Sequence, residues 1–366
     1  MAWIDYVYMR KLFLLPFLLF LLSCDKETVN SELDIPSSYD GANFEANAAA
    51  ELALLQHLQD ISNEMKKGRT GEKVNESITT EKFNSLKSIT TPYFSNLIEN
   101  NLLPTLISAS GGQQMVMGET DGVYGAYLFT KFGIENEQLI EKGLFAAAFY
   151  QQARTLANNP DETTPDRIVA LFGAHPDFAG SNNANLHNNP DRFIANYAAR
   201  RDKNDGSGFY SKIQNGLIKL QAAVKAGNTY DKQQQEAIEQ IFQNWEKGSA
   251  ATAVNYIYEV LAKLSATNPD DATIASALHS YSEVLGFIHG FRTVEGKIIT
   301  DAEIDEILML LNVPVGQTPT TLNFLSSPAT ELPKVLQVLD KIQSIYGFTD
   351  TEMEEFKRNW VSEQNR

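Results

Sequence analysis

The residues best placed to do chemistry lie on one stretch, DDATIASALHSYSEVLGFIHGF, Asp270 to Phe291. His279 and Glu283 stand one helical turn apart there, close enough to share a hydrogen bond or to hold a metal ion together. At about 100° per residue, Ile274, Leu278, Tyr281, Leu285 and Ile288 fall within about 80° of one another, and Val284, Phe287 and Phe291 widen the apolar arc. What remains is a narrow strip of His279, Glu283, Gly286 and Gly290. A strip facing only water would carry Lys, Gln or Glu, because a mid-helix Gly costs about 1 kcal/mol relative to Ala. The two glycines therefore predict that another backbone, or a ligand, comes close. A structural His–Glu pair at a helix crossing is favoured over a metal or catalytic role, since this spacing alone is a weak signal. His289, in the last turn, is a further candidate ligand-binding residue.

A second set of candidates sits in a Gly/Asn-rich loop, GAHPDFAGSNNANLHNN, Gly173 to Asn189. His175, Asp177 and His187, with Asp191 just beyond, have the chemistry of metal or ligand contacts, and loops this long inside a domain are functional or mobile. A loop does not fix their geometry, so solvated side chains are the plainer expectation. Tyr124, Tyr127, Phe129 and Phe132 follow the loop Gly111–Gly122 and could line a pocket, though core packing is the commoner use of such rings. None of the five histidines precedes a Glu, which excludes HExxH, and P-loop, GxGxxG, GxSxG and CxxCH patterns are all absent. No catalytic residue is assigned, and metal and cofactor stay open. Convergence of two histidines with Glu283 in one cleft would favour a metalloenzyme; wide separation would leave a binding protein.

The elements that must position these residues read as helices. From Phe44 onward, apolar-periodic segments alternate with Gly, Pro, Asn and Asp clusters, and alternating Val/Ile/Thr runs are few. Leu52, Leu55, Leu58 and Ile61 mark a first helix. A second helical region spans 81–107, with Pro92 starting a new turn and Pro104 kinking its end. Residues 133–156 predict a central helix whose Gly143 and Ala146 to Ala148 admit a close neighbour. Further helices are expected over 190–201, 208–226 and 231–264, the last with a candidate break at Gly248. Thr300 with Glu303, and Thr349 with Glu352, match the capping box. The expectation is an all-α fold of antiparallel helical bundles over 44–366, as one domain or as lobes 44–205 and 206–366.

The N-terminus speaks to location. MRKLFLLPFLLFLLSC, Met9 to Cys24, joins a basic flank to an apolar run much shorter than the roughly 20 residues a membrane span needs. It closes on Leu21-Leu22-Ser23-Cys24 and resembles the lipobox of bacterial lipoproteins, which implies a signal peptide over 1–23, acylation of Cys24 and a membrane anchor. The preceding MAWIDYVY suits a signal poorly, so translation from Met9 is an alternative to Met1. Residues 24–43 are polar and aperiodic and read as a flexible tether. The acidic cluster after Cys24 resembles surface-export signals, whereas Asp25 in second position resembles an inner-membrane retention signal; the outer membrane is the expected site. Cys24 is the only cysteine, so disulfides and thiol catalysis are excluded from an acylated chain. The net charge of −16 becomes −17 without the signal, with 28 basic and 45 acidic residues, and speaks against nucleic-acid partners.

GLFAAAFYQQA at Gly143 to Ala153, NWEKGSAATAVNYI at Asn244 to Ile257, and HSYSEVLGFIHGFR followed by KIITDAEIDEIL carry a resemblance to an uncharacterised bacterial lipoprotein family, domain of unknown function 4856. That family is similar in style to imelysin-like surface lipoproteins. The resemblance implies an all-helical, two-halved fold and an envelope location, with links to iron acquisition. Around His289 the chain departs from the imelysin pattern of Gly two before and Glu three after the His: Phe287 and Arg292 stand there. The reading is thus an envelope lipoprotein that binds a small ligand or a partner protein. The alternative is an imelysin-like, metal-dependent hydrolase using His279 and Glu283.

Overall fold

The computed structural model describes residues 32–366, and residues 33–366 form one compact unit. The signal over 1–23, Cys24 and the first part of the tether lie outside the described residues. The latter part of the expected tether belongs to the body instead. Tyr39 is buried and its hydroxyl donates to Asp166 Oδ1 at 2.7 Å, while the Asp40 amide bonds Gln221. An aromatic ring with a buried partner for its hydroxyl outweighs the local polarity that suggested a linker.

The chain enters through α1 (Phe44–Asn47) and α2 (Ala49–Lys66), whose Leu55, Leu58 and Ile61 are sealed from water, and ends that run in a 3-10 turn, Lys67–Thr70. Asn75 caps α3 (Glu76–Lys87) by accepting from the Ile78 amide. Pro92 opens α4 (Pro92–Leu97), where its missing N–H costs no helical bond. A π-helical turn, Ile98–Leu102, leads into α5 (Leu103–Ala109), and this wider turn accommodates Pro104 at the start of α5. Next comes a hairpin of β1 (Gly122–Tyr124) and β2 (Tyr127–Phe129), the only sheet among the described residues.

The expected central helix consists of α6 (Asn136–Leu144), a π-helical turn Phe145–Tyr150, and α7 (Gln151–Ala157). It is followed by α8 (Thr164–Phe172), α9 (Phe193–Arg200), α10 (Phe209–Ala226), α11 (Asp231–Leu264) and α12 (Asp271–His289). α11 runs unbroken through Gly248 and packs along α9, α10, α12 and a later helix, Pro328–Tyr346, so helices from both sides of residue 205 share it. The C-terminal part holds α13 (Asp301–Leu310), α14 (Asn323–Ser326), α15 (Pro328–Tyr346), α16 (Asp350–Glu355) and α17 (Trp360–Glu363). Both expected capping boxes are formed, at Thr300/Glu303 and Thr349/Glu352. The protein is all-α, a helical bundle around one core in which Trp245 meets Tyr150 and Phe172 edge-on at 5.6 and 5.0 Å.

The seam between α6 and α12 positions the candidate site. A Cβ on Gly290 would lie 2.4 Å from the Gly143 carbonyl oxygen, and one on Gly286 2.6 Å from Lys142 Cβ. What the glycine strip of α12 meets is therefore another backbone. The contacts advance together along both helices, Glu135 with His279, Lys142 with Glu283 and Gly143 with Gly290, so this pair runs parallel within the bundle.

Candidate functional site

His279 and Glu283 face α6 and join a buried network of charge. His279 Nδ1 lies 2.6 Å from Glu135 Oε2, and its Nε2 is 3.9 Å from Glu283 Oε2. Glu283 Oε1 is 3.6 Å from the Lys142 ammonium and accepts from the Tyr197 hydroxyl at 3.3 Å. Lys142 also pairs closely with Glu141. Arg69, from the 3-10 turn after α2, pairs closely with Glu137 and lies 2.8 Å from Glu135 Oε1, an ion pair without hydrogen-bond alignment. Lys66 reaches Glu141 at 3.4 Å and Glu137 at 3.9 Å. Tyr127 stacks on His279 at 4.4 Å, with Arg69 over its other surroundings at 5.4 Å from the ring centre, so the hairpin covers the network where it nears solvent.

Four carboxyls, Glu135, Glu137, Glu141 and Glu283, thus share three permanent cations, Arg69, Lys66 and Lys142. Burial pushes Glu135 up to about 8, against the pull of Arg69, and Glu137 up to about 7, with Glu141 and Glu135 adding to the rise. Burial works against ionisation of Glu141 too, but Lys142 and Lys66 hold it down to about 2. Desolvation lowers His279 to about 4, Glu283 opposing, so the imidazole is neutral at neutral pH. A network with one carboxyl in excess of its cations retains a proton to stay balanced in a low-dielectric interior.

The remaining candidates go elsewhere. His289 lies ten residues along α12 from His279, about 15 Å of helix. Its Nε2 is 2.9 Å from the Tyr93 hydroxyl, and burial, then Arg292, bring it down to about 4. His175 pairs with Asp177 at 2.8 Å and packs edge-on against Phe44. His187 stays in the same loop, its amide bonded to the Asn183 carbonyl. Asp191 is the staple of that loop, accepting from Tyr210 and from the Ser181 amide, both at 3.0 Å. No second histidine joins Glu283, and among the described residues no three His, Cys, Asp or Glu side chains are grouped to hold a metal ion.

His289 and Tyr93 instead line a cleft of about 810 Å³ on the other side of the seam. On a wheel of about 100° per residue, Asn136 and Leu139 of α6 face this cleft while Glu137, Glu141 and Lys142 face the charge network. Its walls are mixed: Leu97, Leu102, Phe132, Leu285 and Val315, the last in the exposed-edged loop Val313–Pro319, stand beside polar and charged residues such as Asp121 and Lys131. Of the four aromatics near the hairpin, Phe132 lines the cleft, Tyr127 covers His279, Tyr124 donates to Asp271, and Phe129 is buried in a small satellite core. Glu135, Glu137, Lys142 and Arg69 escaped sequence reasoning because charged residues on a helix read as solvent-facing. The signal available was their position beside Gly143 and the alanines. The apolar, Pro-containing segment VPVGQTP was the corresponding cue for the cleft.

Comparison with protein-family models, with curated proteins and with solved structures finds no match to this chain. No described helix is long and apolar enough to cross a membrane.

Proposed function

We propose that this protein is a lipid-anchored envelope protein that captures a small organic ligand in the cleft beside His289. The cleft itself carries the reading. Its volume of about 810 Å³ suits a small organic molecule, and its walls combine an apolar surface with polar and charged groups, among them Asn101, Asp121 and Lys131, that can orient a guest. His289, neutral at neutral pH, and Tyr93 offer a polar contact at the inner wall that costs no desolvation of a charge when a guest covers it. A role in nutrient or iron acquisition, which the family resemblance implies, would then run through an organic carrier.

The hydrolase alternative has less support. Of the histidines, only His279 approaches Glu283, and the Lys142 ammonium 3.6 Å from that carboxylate already supplies the positive charge a metal would bring. The test is titration of the mature chain with a neutral solvatochromic dye such as Nile red. Saturable binding is expected, weakened severalfold in Val315→Asp, a partly exposed position whose change leaves the melting temperature in place. Absence of saturable binding, or equal binding by the variant, would remove the cleft as the site.

A further inference from the structure

Where α9 ends, two consecutive arginines turn into a second, smaller cavity. Arg200 and Arg201 line a polar pocket of about 140 Å³ with Thr252, Asn255, Tyr256 and Lys357. Neither guanidinium forms an ion pair with a carboxylate among the described residues. Arg201 spends one Nη1 hydrogen on the Phe356 carbonyl at 2.6 Å, while its Nε is sealed from water without a partner. Arg200 lies over the Tyr197 ring, 5.1 Å from its centre. The one acid in the lining, Glu259, has its Oε2 held by Lys263 at 2.9 Å and by the Ser280 hydroxyl at 3.0 Å, and reaches Arg201 only as a charge at longer range. Lys357 is paired with Glu354 at 2.6 Å and brings a third cation to the rim.

Such an arrangement is unfavourable as it stands. Two like charges side by side and partly out of water, with neither paired to a carboxylate at contact distance, favour an anion that completes the site. Burial, with Arg200 adding to it and Tyr256 and Glu259 opposing, depresses the Arg201 guanidinium to about 10. The strongly acidic whole makes the convergence more telling, because the molecule's overall field repels anions and only a local site could hold one. Arginine presents paired N–H groups that match a tetrahedral oxyanion, and the side-chain amide of Asn255, in the same lining, adds a neutral donor.

We propose that the pocket formed by Arg200, Arg201 and Asn255 binds a phosphate group, as free phosphate or as a small phosphomonoester. This site is separate from the cleft beside His289, and neither reading depends on the other. A purely structural role for the arginines is the competing explanation, and Arg200 separates the two, since Arg201 alone holds the Phe356 carbonyl.

Calorimetric titration of the mature chain at constant ionic strength, with inorganic phosphate and separately with glycerol 3-phosphate, tests the proposal. Saturable binding is expected for at least one of them, with affinity reduced about tenfold or more in Arg200→Gln and unchanged in Lys225→Gln, a surface control. Tighter binding of the ester assigns the site to a phosphorylated metabolite, and equal or weaker binding to free phosphate. No saturable heat with either anion, or identical affinity in Arg200→Gln and the unaltered protein, overturns it. Circular dichroism of the variant confirms that a loss of binding is not a loss of fold.

Discussion

Glu135 is the residue on which most of the interior electrostatics turns, because it touches His279 and Arg69 and has no water to share its charge. A carboxyl raised by folding holds its proton more tightly in the folded chain. Its contribution is therefore complete at low pH and is lost as pH rises from the ordinary carboxyl range through about 8. His279 works in the opposite sense: depressed to about 4, it adds stability as pH climbs from there to its ordinary 6.5. Below 6.5 the two effects compete, and above it Glu135, with the last part of the Glu137 titration, decides. Urea unfolding should show stability falling by about 2 kcal/mol between pH 6.5 and 8. Glu135→Gln should flatten that decline, and an equally steep profile in the variant would move the proton to another group. At this scale the sequence revealed the His279–Glu283 pair but not its partners. Glu135 lies 144 residues from His279, and nothing local in IENEQLIEK distinguishes a buried glutamate from a solvated one.

Among the elements, the seam of α6 on α12 was the most legible feature. Glycines on an otherwise apolar helix carry a penalty that only close packing explains, and Gly143, Gly286 and Gly290 supply that packing to one another and to Lys142. Gly290 is the C-cap of α12, and adding one methyl there meets the Gly143 carbonyl, so the helices must separate. Gly290→Ala should accordingly cost about 2 kcal/mol in chemical denaturation. A neutral or stabilising outcome would show that the seam can spread. The capping boxes were equally plain, because both partners lie within four residues. The π-helical turns at 98–102 and 145–150 were not, since a one-residue change of helical register leaves no mark in apolar periodicity over so short a span.

On the scale of the whole molecule, the all-α body was readable from periodicity, whereas the cleft depends on how distant helices meet and could not be read from any one of them. The proposed anchor makes a prediction that concerns the entire chain. Cys24→Ala should shift the protein from the membrane to the soluble fraction of fractionated cells, and retention after a high-salt wash would argue that something other than lipid holds it.

Gly286 and the C-cap residue Gly290 stand four residues apart, so by themselves they permit two seatings of α12 on α6, about 6 Å apart, with Gly286 taking the place of Gly290. The ion pairs remove the second seating. A one-turn slip would part Glu283 from Lys142 and His279 from Glu135, leaving the Glu283 carboxylate without a cation in a dry interior. Nearness is thus set by hydrogen-sized side chains and alignment by charge, which leaves the inner jaw of the cleft with a single shape and hands any gating to the opposite jaw, Val313–Pro319.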